Sequence, residues 1–334
     1  MNQRADMRSY RDELKGIAIL WVIFFHARLG LESTPVYALQ QVGYLGVDML
    51  LFLSGFGLYH SLNRQQTLRQ YLARRARRLL PSFLPICLLW SIFMIPRLNL
   101  SPVESIRTAA GNLTMLNFLA SVPAEINWYL SMILVTLLLA PFLHSLLSTA
   151  KKPMATWALL VLGSCAVGLC YIAHDHLMLV SRLPIFVLGM GFAMPKGTKE
   201  RPKTAFILYL LGFVVGAAML WLCFIRYPDF LLDYGMYWYP GLLMVPPICA
   251  AIGFLLRKTS GVSWLFAPLR LIGRASFEIF LFNTWFEVYC KKVAQMTAPL
   301  DYLLWMLLSL ATGILWHLAV GWVYSKFFST EREG

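Results

Sequence analysis

The sequence predicts an all-α protein, a polytopic integral membrane bundle of about ten transmembrane helices forming one domain over 1–334. Three observations carry that prediction. Hydrophobic residues make up 59% of the 334 and charged residues only 13%, a balance that excludes an ordinary soluble domain. Apolar runs approaching the length needed to cross a bilayer recur along the chain. Between them the Lys and Arg residues collect in alternate short segments, as they do when chain orientation is set by charge.

The runs cover 16–30, 43–60, 79–96, 127–147, 154–173, 178–195, 204–225, 236–256, 271–290 and 301–326. With the N-terminus in the cytoplasm, the inner segments hold 22 of the 29 basic residues. Arg28, Arg97, Arg107, Arg182, Arg226, Lys291 and Lys292 fall outside. Both termini are therefore expected to be cytoplasmic. The first apolar run has no small-residue cleavage site after it and reads as a retained span. Topology accounts for the net charge of +13, so nucleic acid is not an expected partner. Six cysteines are scattered singly through apolar sequence without metal-ligand spacing, which makes them packing residues.

In the stretch from Arg8 to Arg28 a polar lead-in is followed by an almost purely apolar helix that carries a single titratable residue, His26, into the membrane, and such a residue is a functional-site hypothesis. Lys15 and His26 are eleven positions apart, so they share a helix face at a separation of roughly 16 Å. That span is comparable to an extended pantetheine arm. A cation at one end and a base at the other suit a phosphate-tailed thioester whose reactive carbon lies buried.

The second run, GYLGVDMLLFLSGFGLYH, carries Asp48 about a turn below the outer surface. It either orients His26 or pairs with Arg28. Gly43, Gly46, Gly55 and Gly57 predict close helix approach. In YLARRARRLLP, Arg75 and Arg78 are three apart on one face and could fork onto donor phosphates; lipid headgroups would satisfy the same guanidiniums.

The long outer segment 97–126 is too apolar for a plain loop and predicts a short or re-entrant helix, with Glu125, Asn127, Trp128 and Tyr129 at its exit. Trp128 and Tyr129 serve as interfacial anchors or as a sugar platform. His174-Asp175-His176 is a weak metal pattern and reads as outer loop. Arg182 binds an acceptor anion or snorkels to the surface. Asp229 and Asp233 sit in an aromatic outer turn. The run 271–290 buries Glu278 and Glu287, both costly unless paired or protonated, with Ser276 and Asn283 as hydrogen-bonding neighbours. His317 in the last run is expected to bridge helices rather than catalyse.

Together these residues resemble the membrane acyltransferase family three, whose members O-acylate cell-envelope glycans. The basic residue, ten positions and a His are Lys15 and His26, preceded by Asp12. Gly46, Val47, Asp48, Ser54, Gly55 and Phe56 match its second-span pattern, and Arg75, Arg78 and Pro81 match its Arg-x-x-Arg before Pro. Trp128-Tyr129-Leu130, Arg182 with Phe186 and Gly189, and Ser276 with Phe280-Leu281 follow in order. Where many relatives carry a His in the ninth span, this chain has Asn283.

The resemblance implies a cytoplasmic acyl-CoA donor, acetyl-CoA by default, and an acceptor hydroxyl on an envelope glycan or lipid-linked saccharide. It implies a bacterial inner-membrane protein surrounded by lipid. Lys15, Arg75 and Arg78 would then hold the donor phosphates. His26 would act as general base or transient acyl carrier, with Asp48 and Glu278 as further catalytic groups. Trp128, Tyr129, Arg182 and Asn283 would line the substrate site. No metal is called for, and oligomeric state is not fixed by these residues. A transporter is the rival reading, because polar residues along a central path also serve translocation.

Overall fold

The computed structural model describes residues 3–27, 29–64, 67–124, 126–170, 176–195, 202–226, 239–259, 264, 266–296 and 298–328. Among them every regular element is helical. The chain enters through α1 (Gln3–Ser9) and α2 (Arg11–His26), then α3 (Pro35–Gln41), α4 (Leu45–Leu62) and α5 (Leu68–Met94). The middle of the chain forms α6 (Pro102–Leu113), α7 (Trp128–Thr149), α8 (Pro153–Leu169), α9 (Leu177–Val180) and α10 (Leu183–Ala193). It closes with α11 (Pro202–Arg226), α12 (Pro240–Lys258), α13 (Ala267–Arg274), α14 (Ser276–Val288) and α15 (Pro299–Phe328).

Six of these helices are long and apolar enough to cross a membrane: α4, α5, α7, α11, α12 and α15. Shorter apolar helices, α8 and the pair α9–α10, fill two more of the sequence runs. The remaining two runs fall on α2 and on α13–α14. Helix starts follow local chemistry. Thr67 and Gln70 form a reciprocal capping box ahead of α5, and Ser101 and Glu104 do the same ahead of α6. The segment 97–126 thus contains the expected short helix, with Val103 and Ile106 exposed on it.

Helix α4 is the central post, buried along most of its length between α2, α10 and α12. Its glycines set the spacing. Gly46 lies against the backbone of Ala18, and Gly55 and Gly189 let α4 and α10 touch through the Phe186 and Phe52 carbonyls. Gly16 and Gly273 bring α13 against α2 in the same way. The core seam between them holds Leu14, Ile19, Val22, Leu45, Phe52 and Ile279. Helices α11 and α15 are apolar and largely exposed, the pattern of lipid-facing elements.

Three boundaries differ from the sequence runs. The first helix stops at His26, because Ala27 is extended at φ −77, ψ 133. His26 therefore sits at a helix end rather than part-way along a span continuing to residue 30. The ninth run breaks at Ala275 into α13 and α14, and the sixth run breaks at Ser181 and Arg182 ahead of Pro184. Prolines also lie inside α5, α7 and α12, so proline alone does not end a helix here; Pro184 falls in the first turn of α10, where no backbone N–H is needed.

Candidate active site

The site is organised by the two ends of α2. At its C-terminal end the terminal carbonyls would be left without partners. The buried Gln40 fills that need: its Nε2 donates to the Phe24 carbonyl at 2.9 Å and to that of Ala27. This holds the last turn in place beneath His26, and the Phe25 ring packs edge-on to the imidazole at 5.2 Å. Nδ1 of His26 lies 3.1 Å from Oε2 of Glu287 on α14. The other oxygen of Glu287 accepts from Lys291 Nζ at 2.6 Å. Lys291 belongs to the π-helical turn Tyr289–Val293 that follows α14. With Glu287 ionised, Nδ1 carries the proton and Nε2 is left as the basic nitrogen.

At the N-terminal end of α2, Arg11 and Lys15 are one turn apart, and Arg75 and Arg78 face them from α5. The Arg11 guanidinium rests on Gly57, where any side chain would collide with it. Arg75 donates from Nη2 to Ser61 Oγ at 2.7 Å and lies over the Tyr71 ring at 5.5 Å. Tyr71 is fixed in turn by donating to the Leu137 carbonyl at 3.0 Å. The nearby acids are committed elsewhere: Asp12 to Arg274 at 3.2 Å and Glu13 to Arg270 at 2.8 Å. Burial, together with the guanidiniums of Arg11 and Arg78, brings the Lys15 ammonium down to about 7 against the opposing pull of Asp12. Arg11 is likewise lowered by burial. The result is a mouth that concentrates positive charge and that an anion would relieve. Arg11 was not among the sequence candidates, although its place four residues before Lys15 on one helix face could have found it.

Asp48 does not pair with His26, and Arg28 lies outside the described residues. The Asp48 Oδ1 takes the Nε hydrogen of Arg182 at 3.2 Å, with both side chains almost fully buried. The Arg182 guanidinium is sandwiched on its other side by Trp128, 4.5 Å from the ring centroid. Arg182 thus does not snorkel; neutralising Asp48 inside the bundle keeps it there. Tyr129 is buried against Phe280 at 4.6 Å. Asn127 caps α7 by accepting from the Tyr129 N–H at 2.7 Å and donates to Thr284 Oγ1 at 2.9 Å. That bond ties the start of α7 to α14 beside Asn283.

A family model for an acyltransferase domain, acyltransferase family 3, matches residues 9–322. The chain belongs to acyltransferase family 3. No curated protein and no solved structure matches it. As a family-3 acyltransferase it transfers acyl groups other than aminoacyl groups and does so from a frame of multiple apolar helices. The matched segment takes in the α2 pair, the α5 arginines and α14.

The structure of this acyltransferase separates Glu278 from His26. Glu278 accepts from Ser82 Oγ at 2.6 Å and meets His317 Nδ1 at 3.3 Å, joining α14 to α5 and α15. Glu278 and Glu287 are nine residues apart, which puts them on opposite faces of α14. His317 thereby makes the interhelical bond expected of it. His176 packs edge-on against Phe118 at 5.5 Å. Glu125, His174, Asp175, Asp229 and Asp233 lie outside the described residues. Of the cysteines, Cys87, Cys223, Cys249 and Cys290 are buried as expected, and Cys170 is exposed.

Proposed function

We propose that this family-3 acyltransferase moves a short acyl group, acetyl by default, from cytoplasmic acyl-CoA to a hydroxyl of an envelope or exported glycan. The reading includes about ten spans, cytoplasmic termini and a bacterial inner membrane. The observation that carries it is the contact of His26 Nδ1 with Glu287 at 3.1 Å, set on the same face of α2 as a basic mouth at the other end. Arg11, Lys15, Arg75 and Arg78 supply the charges that the donor phosphates need. From there the pantetheine arm reaches His26 along α2.

In the transfer step the acceptor oxygen attacks the thioester carbon while His26 Nε2 takes the hydroxyl proton. Glu287 holds the resulting imidazolium through Nδ1. A new C–O bond forms, the C–S bond breaks, and the leaving thiolate recovers the proton from Nε2. Asp48 with Arg182 and Trp128 serves as the rigid outer wall beside the acceptor. Glu278 positions α14 rather than acting on substrate.

The test uses purified protein in lipid nanodiscs with radiolabelled acetyl-CoA and envelope glycan, scoring thiol release and glycan mass. His26→Ala is expected to abolish transfer in a folded protein, and Glu287→Gln to lower kcat by about 100-fold. Retained glycan acylation by His26→Ala would overturn the assignment. Label trapped on His26 would replace the base step with an acyl-histidine. Solute uptake without thioester loss would favour the transporter.

A further inference from the structure

Helix α14 runs outward from Ala275, where it adjoins the inner pair Asp12–Arg274, to Glu287 at His26. Asn283 is one turn inward of Glu287 on the same face, roughly 6 Å nearer the basic mouth. Its backbone is fixed: the indole N–H of Trp305 donates to the Asn283 carbonyl at 3.0 Å, and the adjacent Thr284 is held by Asn127. Its side chain is 2% exposed, yet its carboxamide oxygen has no hydrogen-bond partner among the described residues. An unpaired carboxamide inside a membrane bundle is costly, and the cost is recovered if a substrate supplies the partner.

A thioester that enters at the mouth and ends at His26 brings two matching groups past this position. Its carbonyl oxygen needs a donor. The cysteamine N–H, two carbons beyond the sulfur on the mouth side, needs an acceptor. A carboxamide offers one of each side by side. Resting on the acyl-CoA reading above, we propose that Asn283 is the catalytic clamp of the donor's acyl end. Its Nδ2 donates to the thioester carbonyl oxygen and to the oxyanion formed as the acceptor adds. Its Oδ1 accepts the cysteamine N–H. Preorganised donors of this kind act on charge that develops only in the transition state, so their loss falls on kcat.

The experiment compares acetyl-CoA with an acetyl-CoA analogue carrying an ester in place of the cysteamine amide, in wild type, Asn283→Ala and Asn283→Asp. Wild type is expected to prefer the amide donor by about tenfold in kcat/KM. Asn283→Ala should lose about 100-fold in kcat with acetyl-CoA and lose the preference between donors. Asn283→Asp, which keeps the acceptor and drops the N–H donor, should lose kcat yet still prefer the amide. It also carries the test should the Ala variant fail to fold. A folded Asn283→Ala enzyme with unchanged kcat and unchanged preference overturns the clamp while His26-dependent turnover stands. Absence of any thioester turnover by wild type overturns the acyl-CoA reading and this proposal with it.

Discussion

Lys15 shares its pocket with Arg11 and Arg78, and the crowding that brings its ammonium to about 7 makes its charge depend on ordinary changes of pH. Below that value the free enzyme presents the full set of cations to the donor; above it Lys15 is neutral and one contact is lost. The kcat/KM for acyl-CoA should therefore fall as pH rises through about 7. Donor already bound stabilises the protonated form, so kcat should hold to higher pH. In Lys15→Met the alkaline fall should vanish, with KM raised below about 7 and converging on wild type above it; a profile identical to wild type would remove Lys15 from the mouth. Residues of this kind were legible because a charge inside apolar sequence stands out and a spacing of eleven returns to one helix face. Lys15, Arg75 and Arg78 do converge. Glu287 was visible as a costly acid, but its partner was not, because a pairing across 261 positions leaves no local pattern. Asp48 misled for the same reason: its counter-charge, Arg182, comes from a distant helix.

Among elements, the close crossing of α4 and α10 shows what small residues do where lipid supplies no hydrophobic drive. Gly189 lies on the Phe52 backbone, and a methyl group there meets main chain that cannot move aside. Gly163 on α8 has open space around it. Gly189→Ala should thus destabilise by about 1–3 kcal/mol as an overpacked contact. Gly163→Ala should be neutral or gain about 0.5–1 kcal/mol from reduced backbone freedom. Thermal unfolding in detergent micelles checks both, and equal Tm values for the two variants would contradict the crossing. The glycines of α4 announced this packing in the sequence. The breaks at Ala275 and Ser181 are absent from the predicted runs, although Arg274 and Arg182 interrupt the apolar sequence beside them and Pro184 follows the second; such residues also occur in unbroken helices, and only the bundle decides where each helix turns.

Over the whole molecule, charge arranges the two ends differently. Asp6 pairs with Arg257 at 3.3 Å, Glu13 with Arg270 and Asp12 with Arg274, so the start of the chain is laced to α12 and α13 at one end. His26, Glu287 and Lys291 gather at the other. These pairs join segments that the basic-residue bias assigns to one side, whereas the partners themselves left no pattern in the sequence. The proposed chemistry depends on orientation, since acyl-CoA is made in the cytoplasm and the proposed donor requires an inward mouth. In a cysteine-free background, Arg107→Cys should react with a membrane-impermeant maleimide in intact cells, and Lys151→Cys only after permeabilisation. They flank α7, so one helix crossing separates them. The reverse labelling pattern would turn Arg11, Lys15, Arg75 and Arg78 away from the donor. Acyl transfer from cytoplasmic acyl-CoA would then have to enter past His26, and the basic mouth would need another anion to explain it.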